Sequence, residues 1–204
     1  SASASVVVDG NTEVPLITNP AGNLVINNTG VFFVTNTNDT GVGSLRTAIT
    51  SASAYACGDA YVYATSISGV INWSSNVNVN ASHNVTIIGS GPNNLSVNSG
   101  GSGYFLNNNG SGLVSIIGLK IEQCAGQSAV YGTNARRFSI NNCWFDGNTS
   151  RAIYMPNDPN LYVSNTTFSS NSSSGNGGAV YIVNDFVGKF YNCTFYGNSS
   201  GNQG

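Results

Sequence analysis

Cleavage of a polysaccharide needs few groups. Hydrolysis uses two carboxylates a defined distance apart. Elimination uses a base, with clustered acids where a calcium ion assists. The chain has eight acids to offer: Asp9, Glu13, Asp39, Asp59, Glu122, Asp146, Asp158 and Asp185. Glu122 and Asp146 each stand one residue after a repeat anchor, which brings them side by side on neighbouring turns. The turns after them carry Ser169 and Tyr196 at that position, so the pair reads as a solvated surface pair and not as a catalytic or metal site. His83, the sole histidine, precedes a strand and has no partner in sequence; it reads as a turn residue. Arg136 and Arg137 open a turn near Asp158 or Asp185, with solubility as their plain role and an anionic glycan as the sharper one. Trp144 and Tyr196 fall on the outward side of a strand, where an aromatic ring stacks on a sugar or covers a neighbouring loop. The expectation is therefore no catalytic, cofactor-binding or metal residue, with Trp144, Tyr196, Arg136 and Arg137 as glycan contacts.

Composition narrows the class of protein. Of 204 residues, six are Lys or Arg and eight are Asp or Glu, far below the quarter or so that covers an ordinary globular domain. Asn, Ser, Thr and Gly must do the covering instead, and these suit turns and sheet faces better than helix surfaces. A net charge of −2 argues against a nucleic-acid groove, which needs a basic patch. No apolar run reaches the length of a membrane helix. Disorder is the alternative for so polar a chain, but 40% of residues are hydrophobic and they sit in short periodic runs.

The runs repeat. LVSIIGLKIEQC (113–124), RFSINNCWFDGN (137–148), YVSNTTFSSN (162–171) and FYNCTFYGN (190–198) align on Ile121, Phe145, Phe168 and Phe195, at intervals of 24, 23 and 27 residues. Two positions earlier stand Leu119, Cys143, Thr166 and Cys193. Five positions earlier stand Ile116, Ile140, Val163 and Phe190. Three positions later stand Cys124, Asn148, Asn171 and Asn198. A second motif, AVY (129–131), AIY (152–154) and AVY (179–181), keeps the same phase, and TIIG (86–89) matches SIIG (115–118). A period in the low twenties with no room for helices means about three short strands per turn, each turn stacked on the next at ~4.8 Å. Because side chains alternate along a strand, the Ile121–Phe145–Phe168–Phe195 column faces inward. The later asparagines end the strand, tolerate left-handed backbone and form a hydrogen-bonded turn ladder; a second column runs through Asn142, Asn165 and Asn192. Stacking also places Cys143 and Cys193 two turns apart, about 9.6 Å, beyond the ~7 Å reach of a disulfide. Both are expected buried and reduced; Cys57 is expected to meet Cys124 only if the cap folds down that side.

A solenoid end exposes strand edges and core, and needs a lid. GVGSLRTAITSASAYA (41–56) is the one good helix. Ser44 is its N-cap, Leu45, Ala48, Ile49 and Ala52 form its apolar stripe, and Gly58 stops it. VFFVTN (31–36) and AYVYAT (60–65) flank it as strands. These residues carry a resemblance. The run VTNTNDTGVGSLRTAITSASA (34–54) followed by NVTIIGSG (84–91) resembles the cap of secreted bacterial right-handed parallel β-helix repeat proteins, with their N-D-x-G-x-G-S-L-R-x-A-I run. FDGN (145–148), FSSN (168–171), FYGN (195–198) and GGAV (177–180) resemble the F-x-x-N and G-G-A-[IV] repeats of polymorphic outer membrane proteins. Cys124 in the asparagine position is a departure from that pattern.

The expected fold is thus all-β: a right-handed parallel β-helix with an N-terminal cap containing one short helix. The parts are an arm or extra cap strands over 1–30, a cap over 31–66 and helix turns over 67–204, the last incomplete. The resemblance implies an extracellular or cell-surface scaffold of adhesin type and brings no catalytic residues. The rivals are a carbohydrate-active enzyme whose catalytic turns lie beyond residue 204, and a subunit of a self-assembling filament. Expected partners are more of the same chain or a second subunit at the open end, with cell-surface glycans or secretion machinery beyond it. Twelve N-x-S/T sequons, at Asn27, 38, 72, 80, 84, 94, 109, 148, 165, 171, 192 and 198, would carry surface glycans in a host that reads them.

Overall fold

A computed structural model describes residues 29–202 apart from 102, 127, 133–135, 157–159 and 184–186, together with the backbone of four short strands before residue 29. Those four pair antiparallel, Ser5–Val7 with Glu13–Pro15 and Ile17–Thr18 with Leu24–Val25. The rest is a parallel β-helix. Three parallel sheets run along it, and successive strands of each sheet come from successive coils. The first sheet is Gly30–Phe33, Ala60–Ala64, Val85–Gly89, Leu113–Ile117, Arg137–Asn141, Asn160–Ser164 and Val187–Tyr191. The second is Gly69–Asn72, Leu95–Asn98, Lys120–Glu122, Trp144–Asp146, Thr167–Ser169 and Thr194–Tyr196. The third is Val77–Val79, Leu106–Asn108, Val130–Gly132, Ile153–Met155 and Val180–Ile182. Among the described residues this makes five full coils and a sixth with strands in the first two sheets. Its Ser199–Ser200 pairs with Ser172–Ser173, which precede the third-sheet strand of the coil above.

The register stacks like on like. Ile71, Val97, Ile121, Phe145, Phe168 and Phe195 lie over one another in the second sheet. Ile116, Ile140, Val163 and Phe190 do the same in the first. The rings of Phe145, Phe168 and Phe195 stack at 5.2 and 4.7 Å, each pair contributing about 0.5–1.5 kcal/mol beyond the area it buries.

The corners explain why strands this short stay in register. Each strand of coils three to six in the first sheet ends on a left-handed residue, Gly118, Asn142, Asn165 or Asn192, with φ near 50–67°. Each second-sheet strand of those coils ends on another, Gln123, Gly147, Ser170 or Gly197, with φ of 53–62°. The residue after each left-handed position turns inward. That residue is Leu119, Cys143, Thr166 or Cys193 at the first corner, and Cys124, Asn148, Asn171 or Asn198 at the second. The left-handed backbone expected at the Asn148–Asn171–Asn198 column therefore sits one residue earlier. It also occurs in the Asn142–Asn165–Asn192 column. These asparagines stand outside the interior, where the Asn192 amide donates to Asn165 Oδ1 at 2.7 Å.

The helix runs over Leu45–Ala54, with Leu45, Ala48, Ile49 and Ala52 buried. Thr47 N–H donates to the Ser44 hydroxyl at 3.3 Å, as an N-cap should. The helix ends at Ala54, four residues before Gly58, because Tyr55 already takes an extended backbone. The residues before the helix have separate jobs. Gly43 has φ +78° and sits so close to Thr35 that a Cβ would lie 2.1 Å from its hydroxyl. Asp39 accepts two hydrogen bonds from the Arg46 guanidinium, at 3.1 and 2.6 Å, and a short one from the Ser74 hydroxyl. The same guanidinium lies 4.0 Å above the Trp73 ring, and Trp73 packs on Phe105. One ion pair thus staples the lid to the first coil.

Burial alone would raise the Asp39 carboxyl above its ordinary 3.8, but the hydrogen bonds from Ser74 and Arg46 and the charge of Arg46 outweigh it and hold it lower. A lowered folded-state value adds stability that is present above the unfolded value and lost as pH falls through the folded one. Melting temperature followed downward from pH 3.8 should therefore fall more steeply for the natural chain than for Asp39→Asn. Equal slopes would contradict the staple.

Candidate functional site

With the interior filled by stacked columns, the outward faces are what the fold offers to other molecules. The second sheet carries the richest one. Its outward side chains form two columns by register. One is Val70, Ser96, Lys120, Trp144, Thr167 and Thr194; the other is Asn72, Asn98, Glu122, Asp146, Ser169 and Tyr196. At their centre Lys120 Nζ reaches Glu122 Oε2 at 2.7 Å and Asp146 Oδ2 at 3.0 Å, and lies 4.4 Å from the centre of the Trp144 ring. The indole N–H of Trp144 donates to Ser169 Oγ at 2.6 Å, and Ser169 in turn donates to Asp146 Oδ1 at 2.6 Å. Burial would lower the ammonium of Lys120, but its hydrogen bonds to Glu122 and Asp146 prevail and raise it.

Glu122 and Asp146 do face outward on neighbouring coils, but they are not a simple solvated pair. Lys120 bridges them. It stands two residues before Glu122 on the same outward face, and it occupies the repeat position that Trp144 occupies one coil below. A shallow hollow of about 300 Å³ opens beside this group, walled by Pro92, Asn93 and Asn94 and lined by Ser96, Lys120, Glu122 and Trp144. Indole, carboxylates, ammonium, amides and hydroxyl are thus gathered on one outward face beside the hollow.

Of the four expected glycan contacts, Trp144 and Tyr196 share this face, Tyr196 at its exposed lower end. Arg136 and Arg137 do not. They do open a coil, but at the first sheet: Arg137 is the exposed first residue of its strand, and Arg136 precedes it half-buried. Asp158 and Asp185, their expected partners, lie outside the described residues. His83 has a partner that its sequence neighbours hid: its Nε2 sits 2.9 Å from the Ala52 carbonyl and its ring meets Tyr55 edge-on. Among the described residues no group of three or more His, Cys, Asp or Glu gathers as a metal site.

A further feature is the tyrosine row Tyr104, Tyr131, Tyr154 and Tyr181 beside and along the third sheet, with ring centres 6.1, 5.5 and 5.4 Å apart. Arg151 caps its lower part at 5.0 and 5.1 Å. The AVY, AIY and AVY triplets carry the signal: they recur in phase and place a tyrosine at the outward position each time. Tyr154 and Tyr181 stack nearly parallel, and the two pairs above them are tilted by 43° and 37°.

The asparagine ladder is the second chemically dense region, and it is internal. Asn148 Nδ2 donates to the Ile121 carbonyl at 3.1 Å and to Asn171 Oδ1 at 2.8 Å. Asn171 Nδ2 donates to the Phe145 carbonyl at 3.1 Å and to Asn198 Oδ1 at 2.9 Å. Each Oδ1 also accepts the backbone N–H of the coil above: Cys124 to Asn148, Asn148 to Asn171 and Asn171 to Asn198, at 3.0 to 3.2 Å. Asn148 and Asn171 are fully buried.

Comparison with protein-family models, curated proteins and solved structures finds no match.

All four cysteines are free thiols. Cys143 is buried and Cys124 too, and burial pushes their thiols up to about 12 and about 11. Cys193 shares the Cys143 column but is only half-buried, because no described coil covers it from below. In the native protein a thiol reagent should label Cys57 at once, Cys193 more slowly, and Cys124 and Cys143 only on unfolding. A Cys143–Cys193 bridge, or fast native labelling of Cys143, would contradict the register.

Proposed function

We propose that this chain is a non-catalytic scaffold of the extracellular or cell-surface, adhesin type, akin to the secreted bacterial β-helix proteins that its cap and F-x-x-N repeats resemble. It presents the outward face of the second sheet to glycans. The observation that carries this reading is the use made of Glu122 and Asp146. Among the described residues they are the one carboxylate pair that the repeat brings together, and Lys120 spans them, filling the space that a glycosidic bond would need between an acid and a base. What remains around them is a binding surface: Trp144, the amides of Asn93 and Asn94, and the hollow beside them. Among the described residues no helix is long and apolar enough to cross a membrane.

The lower end has a partner role in the same reading. Phe168 is fully buried, whereas Phe195, one coil below in the same column, is 49% exposed. A hollow of about 450 Å³ lies there, lined by Gly177–Val180 and Phe195–Ser200. A coil of the same kind laid against this surface, from the same chain or from a partner subunit, would cover it as each coil covers the one above.

Binding of purified chain to an array of neutral and acidic glycans, followed by titration calorimetry on the best ligand, tests the proposal. Trp144→Ala should weaken that binding about tenfold or more, ~1.4 kcal/mol, with the melting temperature little changed. Cleavage of a polysaccharide by the purified chain, or binding indifferent to Trp144→Ala, would overturn it.

A further inference from the structure

The asparagine ladder and the sequons are the same residues. Asn148-Thr149-Ser150, Asn171-Ser172-Ser173 and Asn198-Ser199-Ser200 each read N-x-S/T, the acceptor pattern for N-glycosylation, which ordinarily marks a surface loop. Here two of the three acceptor asparagines are fully buried. Both amide hydrogens of Asn148 are engaged, with the Ile121 carbonyl and Asn171 Oδ1, and both of Asn171, with the Phe145 carbonyl and Asn198 Oδ1.

Transfer of a glycan breaks the bond between the sugar's anomeric carbon and its lipid-diphosphate carrier. It forms a bond from that carbon to Nδ2, which gives up one proton. One of the two engaged hydrogens is thus lost, and a pyranose must occupy a position that no solvent reaches. Steric room and hydrogen-bond capacity fail together. The enzymes that read sequons act on an unfolded chain as it emerges, when Asn148 and Asn171 are as open as any others.

We infer that an N-glycan on Asn148 or Asn171 and the folded solenoid exclude each other, so that this chain matures by a route in which folding outruns sequon-directed glycosylation or never meets it. After folding, the sequons that remain open are others: Asn38, Asn72, Asn80, Asn109 and Asn165 are exposed, and no partner holds their Nδ2 among the described residues. The inference stands on the ladder and does not depend on the glycan-binding reading above.

Expression of the chain in two hosts tests this, one without oligosaccharyl transferase and one eukaryotic secretory pathway with it. Site occupancy is then read by mass spectrometry on the folded fraction and the retained fraction separately. A second chain, Ser150→Ala with Ser173→Ala and Ser200→Ala, keeps every ladder asparagine and removes its sequon; in the host without the transferase it should fold like the parent. In the glycosylating host, the folded fraction should carry sugar on exposed sequons and none on Asn148 or Asn171, any chain modified there should be retained, and the triple variant should raise the folded yield several-fold. Folded, secreted chain with sugar on Asn148 or Asn171 would overturn the inference. So would retention of the parent that the triple variant does not relieve.

Discussion

A parallel β-helix must satisfy the backbone at its corners. Strands of three to five residues pair with the coils above and below, but where the chain leaves one sheet for the next its N–H and C=O groups point into a closed interior that water does not reach. Leaving one such group unpaired costs about 1–3 kcal/mol, and a solenoid repeats the cost at every coil. This chain meets the demand at its second corner with one residue type. A left-handed residue turns the backbone, the next side chain swings inward, and from Asn148 onward that side chain is a primary amide. Its two hydrogens and its oxygen pair with the coils on either side. The F-x-[GS]-N pattern is this device in sequence: Phe fills the column, Gly147, Ser170 or Gly197 takes φ of 53–62°, and Asn closes the backbone.

The rest of the molecule depends on that register. The phenylalanine stack holds only if each coil sits directly beneath the last, and the outward face inherits the same alignment. Lys120, Glu122, Trp144, Asp146 and Ser169 come from three coils, and the strand register that the ladder helps to hold sets their mutual distances. The cap works at the other end. The Asp39–Arg46 pair fixes the helix over the first coil, and Leu45 and Ile49 plug its core. Its polar residues act as structural parts of a lid, which accounts for so specific a motif in this segment.

Inward positions were legible in the sequence because periodicity survives wherever side chains must stack. The columns of Ile121, Leu119 and Ile116, and the apolar stripe of the helix, follow from spacing alone. The corners were less legible. Asparagine is the non-glycine residue most at ease with positive φ, and that general preference points to Asn148, Asn171 and Asn198. In this fold the amide is worth more inside, and the positive φ passes to the residue before it. The outward site was partly legible: Trp144, Tyr196, Glu122 and Asp146 follow from alternation. Lys120 shares the repeat position of Trp144, so spacing held its place too, but its bridge between Glu122 and Asp146 appears only in three dimensions; Arg136 and Arg137 lost theirs because they stand on a different sheet.

A double-mutant cycle on the ladder tests the central claim most directly. Asn148→Ala, Asn171→Ala and the double variant would be compared with the parent by chemical denaturation. Residues joined by a buried hydrogen bond on adjacent coils should show a coupling energy of about 0.5–3 kcal/mol, with each single variant strongly destabilised. Additivity within about 0.3 kcal/mol would mean that the amides do not act as one chain of bonds, and that apolar stacking alone sets the register.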